Sequence, residues 1–264
     1  MPLHPALLKT LNTLTFTAAI STMSYYHKFL VHALAGHPNF LSNSHIGFLI
    51  PTLSWFLLGG FSYLVQWFDS THEMVVEAVD WHLFVSNLVI TGWVLSWVHD
   101  YLVVGQVLLV VNAVLVWRLY SRLRAFTATS LMDYLFVQVS FSVYNALVWL
   151  DVFQNFFAAF TTKEGGPESW AAFGAAGALV VLMVIGTHYT EFARDPDSWC
   201  GAVIALMTLS ITVEQGSAVP VVHMAGLLSV GWLVGALVRR VLRNVAVWHE
   251  RNQDDFHEGR PLLG

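Results

Sequence analysis

Residues 79–98 read VDWHLFVSNLVITGWVLSWV, residues 102–120 read LVVGQVLLVVNAVLVWRLY, and only His99-Asp100-Tyr101 separates them. Each run has the roughly 20 residues a helix needs to cross a hydrocarbon core about 30 Å thick. A lone strand in lipid would leave its backbone groups unpaired, so both runs must be helical. Three residues allow only a tight reversal, which predicts an antiparallel helical hairpin.

Working outward, runs of the same kind recur at 7–26, 46–68, 134–160, 170–189, 199–215 and 219–238. The first is the weakest, since it carries Lys9, Asn12 and several threonines. The breaks hold turn-forming residues: Gly165-Gly166-Pro167, Asp195-Pro196-Asp197, and Gly216 ahead of Pro220. Composition agrees. Of 264 residues, 56% are hydrophobic and 11% charged, against about 25% charged in a typical soluble domain. Mean hydropathy is +0.61. These values exclude a soluble enzyme, a disordered chain and a basic nucleic-acid binder. The expected fold is all-α, an integral membrane helical bundle of about eight transmembrane helices, or seven if the first does not span. Residues 1–240 are expected to form one transmembrane domain and 241–264 a cytosolic tail.

The basic residues set the orientation. With eight helices and a cytosolic N-terminus, one side holds Lys9, Arg118, Arg122, Arg124, Arg194, Arg239, Arg240, Arg243, Arg251 and Arg260. The other side holds only Lys28 and Lys163. Both termini are therefore expected in the cytosol. The first ten residues lack the basic start and clean apolar core of a secretory signal, so the first helix is read as retained. There is no Asn-x-Ser/Thr sequon, and the single cysteine, Cys200, excludes an intrachain disulfide and cysteine-held metal clusters.

Asp151 is the most informative polar residue, because a carboxylate inside a span is costly unless paired, protonated or wet. Asn155 lies four residues on and shares its face, while Asn145 lies on another side. Asp151 and Asn155, with Trp149 nearby, are the candidate ligand determinants, set against a purely structural role as an inter-helix anchor. Asn87, Gln106 and Asn112 are expected to bond across neighbouring helices. Of the 11 tryptophans, Trp67, Trp81, Trp97, Trp117, Trp170, Trp199 and Trp248 sit near helix ends, where interfacial anchoring explains them. Trp55, Trp93, Trp149 and Trp232 lie deeper, as helix-packing volume. Gly231 and Gly235 form a GxxxG, and Gly174 with Ala178 a looser relative, both expected at close helix contacts.

Histidines offer an alternative. His82 and His188 are expected near one membrane face, His99 and His223 near the other, as a transmembrane haem-type electron carrier would need. The histidines of 27–45 (His27, His32, His37 and His45) match no metal motif and read as a solvated loop. Residues 72–77, HEMVVE, lack the second histidine of a zinc-protease helix. Glu73, Glu77 and Asp80 read as a solvated acidic turn. No lysine in the last two helices offers a retinal Schiff base, and no glycine-rich phosphate loop is present. No metal or cofactor is expected. The tail carries Glu258, Leu262 and Leu263 in the spacing of an acidic dileucine sorting signal, whose partner would be a cytosolic adaptor. That signal implies an endomembrane location (vacuole, endosome or Golgi) or the plasma membrane.

The stretch from Ser86-Asn87-Leu88 through Gln106 and Val110-Val111-Asn112 to Leu119-Tyr120 resembles a fungal family of multi-pass membrane proteins of unknown function. Tyr25-Tyr26 and Pro261-Leu262-Leu263 extend that resemblance, which implies several transmembrane helices and no established activity. Phe141-Ser142, Tyr144 and Asn155 more distantly resemble the long tryptophan-rich sensory proteins, related to the translocator protein that binds porphyrins and sterols. In that group a tryptophan follows the tyrosine by three residues. Here Leu147 stands in that place, Trp149 is displaced, and Asp151 is an addition. The functional expectation is a non-enzymatic binder or transporter of a small hydrophobic or amphipathic ligand. The alternatives are the electron carrier and a structural or trafficking component without a ligand.

Overall fold

The computed structural model describes residues 4–37, 39–41, 49–163, 166–167 and 169–258. Ten helices carry the fold: α1 Pro5–Tyr25, α2 His27–Gly36, α3 Leu49–Trp67, α4 Asp69–Val79, α5 His82–Val98, α6 Leu102–Leu123, α7 Leu131–Thr161, α8 Ala171–Phe192, α9 Ser198–Gln215 and α10 Pro220–Glu258. The only strand pairing among the described residues is Thr162–Lys163 with Gly166–Pro167. This is an all-α, multi-pass membrane bundle. Six helices are long and apolar enough to cross a membrane, and the bent pair α4–α5 brings the number to seven if it is counted as one span.

Helix α1 has the length to span, 21 residues, but not the hydropathy, and the structure shows why. Several of its polar side chains are spent on neighbouring helices. Asn12 bonds to Gln66, Thr13 to the Ser62 carbonyl, Thr17 to Tyr63, and Thr15 accepts from Asn87. Leu8, Phe16 and Ala19 are buried against α3 and α5. The bend between α4 and α5 is 64°, made where a π-helical turn, Val75–Val79, ends at Asp80 with φ 45°. With ψ −143° this lies outside the left-handed helical region, in a conformation that glycine favours and that any side chain adopts under strain. The expected acidic turn is thus a helix whose Val75, Ala78 and Val79 are core residues. Asp80 pairs with Arg122 at 3.8 Å.

The α5–α6 hairpin forms as expected, with Asp100 (φ 59°) at its turn. Its carboxylate meets His37 Nε2 at 2.8 Å. His27 and His32 lie on α2 and not in a loop, because 27–36 offers an unbroken run of helix-compatible residues with no turn former before Gly36. His45 lies outside the described residues.

Helix α7 is the most buried span and divides the bundle. Tyr144, Val148 and Val152 face the core shared with α1, α3, α4, α5 and α6. Leu147, Trp149, Leu150 and Phe153 face the core shared with α8, α9 and α10. On that second side, Gly186, Gly201 and Gly226 mark the close contacts. An added Cβ on Gly226 would collide with the Thr212 side chain of α9, and one on Gly201 with Thr190 of α8. Among the described residues the expected GxxxG pair makes no close contact with another helix. A Cβ on Gly231 would meet nothing, and on Gly235 only Arg239 of the same helix. The helix turns Val222, Gly226, Ser229, Leu233 and Ala236 inward instead, and Gly231 falls outside that stripe.

Helix α10 is 39 residues long, or about 58 Å at 1.5 Å per residue. It continues well beyond the apolar span as an unbroken helix into the expected tail.

Candidate functional site

One face of α7 carries Tyr144, Asp151 and Asn155, spaced i, i+7 and i+11, a single helical stripe. This stripe faces α5 and α6, and its two outer members are hydrogen-bond hubs. At the first, Ser86 Oγ donates to Asn112 Oδ1 at 2.6 Å. Ser86 Oγ lies 2.9 Å from the Tyr144 hydroxyl, and Asn112 Nδ2 donates to that hydroxyl at 3.2 Å. The three side chains, from α5, α6 and α7, close a ring. At the second hub, Asn155 Oδ1 accepts from the indoles of Trp93 at 3.1 Å and Trp97 at 2.6 Å. Its Nδ2 donates to Gln106 Oε1 at 2.9 Å and the Leu102 carbonyl at 3.2 Å. All four capacities of the amide are used. Gly105 lets α6 approach this hub, since a Cβ there would lie 2.8 Å from Ser96 Oγ and 3.3 Å from Asn155 Oδ1.

Asp151 lies between the hubs, about 10 Å along the axis from Tyr144 and about 6 Å from Asn155. No described residue gives Asp151 a hydrogen bond or an ion pair, and it is half-buried. Trp149, two residues away and so on the opposite side of the helix, packs with the α8–α10 core. The structure therefore joins Asp151 with Asn155 and sets Trp149 apart. Asn145 points away as expected, its amide 3.8 Å from Cys200 Sγ on α9.

The amides of the hairpin do bond across helices, but not to one another: Asn87 reaches α1, while Gln106 and Asn112 reach α7. Trp97 is not an interfacial anchor. It is buried and spends its indole N–H on Asn155, a role that helix-end position alone disguises. The signal for the first hub was the pairing of Ser86 with Asn112 on facing stretches of the hairpin. Nothing in the linear order joined either to Tyr144.

The four histidines have four separate surroundings. His82 opens α5, buried and stacked on Trp81. His188 lies at the end of α8, beside Trp232 in a surface cleft. His99 lies by Tyr101 at the hairpin turn, and His223 meets the Thr212 carbonyl at 3.1 Å. No hydrogen bond or ring contact joins any two of them. Among the described residues no group of three or more His, Cys, Asp or Glu side chains converges as metal ligands would. Glu258 ends α10, and Leu262 and Leu263 lie outside the described residues.

No curated protein and no solved structure matches the chain. A family model does, and its reach runs from α1 to the middle of α10 and includes Tyr144, Asp151 and Asn155. Across residues 6–239 the chain matches the model of the TSPO-like proteins, and it belongs to that family.

Proposed function

We propose that the protein binds, or moves across its membrane, a small hydrophobic or amphipathic ligand whose polar group meets Asp151. The observation that carries this reading is the carboxylate itself: a group within a membrane span, without a polar partner among the described residues, between two hubs whose partners are complete. A carboxyl group at this depth must carry a proton or meet a donor. Its neighbours Tyr144 and Asn155 already spend their hydrogen bonds on α5 and α6, so the donor is sought on a ligand. Membership of the TSPO-like family supports a membrane ligand-binding role.

The test is an inventory, by absorbance and mass spectrometry, of what co-purifies with the protein in mild detergent, repeated on Asp151→Asn. We expect a discrete small molecule on the wild type and its loss from the variant, with the melting temperature retained. A bare wild-type protein, or the same molecule held equally by Asp151→Asn, rejects the reading. Haem would show in the same spectrum as a Soret band.

The arginine-rich end of the bundle is assigned to the cytosol by the excess of basic residues there. On that assignment the segment 241–264 is a cytosolic tail, and Glu258, Leu262 and Leu263 are readable by a sorting adaptor of the endomembrane system. A tail labelled from the opposite side would end this proposal, because the motif would then be out of the adaptor's reach.

A further inference from the structure

A cleft of about 290 Å³ opens between α8 and α10, lined by Met183, Val184, Thr187, His188, Phe192 and Trp232. It lies on the outer surface of the bundle, away from the stripe of α7. Val184, Phe192 and Trp232 are more than half exposed, so in a membrane the cleft faces hydrocarbon. Besides the exposed His188 imidazole, the polar groups of its wall, Thr187 and Trp232, are committed. Thr187 Oγ1 donates to the Met183 carbonyl at 2.7 Å and accepts from the Trp232 indole at 3.1 Å. What the cleft offers is apolar surface with a fixed indole at one end.

That end is cationic. Trp232, Arg239 and Arg243 are spaced i, i+7 and i+11 on one face of α10, a run of about 16 Å. The Arg239 guanidinium lies 5.7 Å from the Trp232 ring centroid and its Nε donates to Glu191 at 2.8 Å. Arg243 also acts on Glu191 electrostatically. Two arginines on this face, at 239 and 243, thus stand against one carboxylate and leave an excess of one positive charge. Going down this face, hydrocarbon-facing apolar wall gives way to indole and then to guanidinium. An acyl chain, a glycerol backbone and a phosphate follow in the same order.

We propose that this cleft binds an anionic phospholipid of the adjoining leaflet, one acyl chain against Val184 and Trp232 and the phosphate at Arg239 and Arg243. The charge excess argues for an anionic headgroup over a neutral sterol, and guanidinium suits phosphate oxygens. At about 290 Å³ the cleft falls at the lower edge of small-molecule pockets, roughly 300–1,000 Å³, which suits a length of one chain.

The experiment is native mass spectrometry of the full chain equilibrated with equimolar dioleoyl phosphatidylserine and dioleoyl phosphatidylcholine. Wild type should retain phosphatidylserine by roughly tenfold over phosphatidylcholine, the scale of one or two arginines near a surface. Arg239→Gln with Arg243→Gln should abolish the preference. Arg243→Gln alone leaves the Glu191 bridge intact and should weaken it. Val184→Trp, which fills the cleft and spares the charges, should release both lipids. Equal retention of the two lipids by wild type overturns the proposal, as does a preference that survives in the double variant. Displacement by soluble glycerophosphoserine would reveal a headgroup-anion site without a chain, and displacement of both lipids by a sterol would reveal a sterol cleft; either also overturns it. Asp151 is untouched in every variant, so this outcome is separate from that of the α7 site.

Discussion

Asn155 and Asp151 occupy the same face of the same helix, yet they answer to different constraints. Asn155 ties α7 to both arms of the hairpin through four hydrogen bonds. Asn155→Leu removes all of them and strands two indole donors and a glutamine. Leaving buried partners unpaired costs about 1–3 kcal/mol, so a melting temperature lowered by several degrees in detergent is expected. A variant as stable as wild type would show that the hub does not hold the helices. Asp151→Asn should behave in the opposite manner, keeping stability and losing ligand, because Asp151 makes no hydrogen bond or ion pair among the described residues. At this scale the sequence was partly legible. It marked the polar residues and the shared face of Asp151 and Asn155. It did not show that Trp97 serves Asn155 or that Trp149 turns away, because partner choice depends on which helix lies opposite.

At the level of elements, the small residues discriminate between inner and outer faces. Gly226 sits where α10 crosses α9 against Thr212, while a Cβ added to Gly231 on the same helix would meet no described residue. Gly226→Val should therefore destabilise the protein by about 1–3 kcal/mol through overpacking, and Gly231→Val should change its melting temperature little. Equal effects would mean that α10 is rotated from the orientation described. The GxxxG spacing alone selected Gly231 and Gly235, since periodicity identifies a stripe without saying which stripe faces in. The π-helical turn and the positive φ of Asp80 were likewise invisible: the apolar pattern of 75–79 fits either a turn or a helix until its core contacts are known.

For the molecule as a whole, the contacts sort the charges. Asp80 with Arg122, Arg124 with the Asp195 carbonyl, and Arg239 with Glu191 gather at one end. His37 with Asp100 marks the other. The single cysteine, Cys200, is buried and gives a silent background for labelling. Ser121→Cys should react with a membrane-impermeant maleimide from the cytosolic side, and Tyr101→Cys only from the opposite side. The reverse pattern would invert the topology and remove the tail from any cytosolic adaptor.

The sequence by itself determined that this is a helical, multi-pass membrane protein, where its hairpin lies, and which end of the bundle is basic. Those properties follow from local quantities: the length and apolarity of a run, and the count of charges between runs. Tertiary structure alone decided that α1 hides Asn12 and Thr13 against α3, that Tyr144 and Asn155 are hubs while Asp151 has no polar partner among the described residues, and that a cleft headed by Arg239 opens on the outer face. Each of these is a matter of what stands opposite a side chain, and a one-dimensional pattern holds no information about the opposite side.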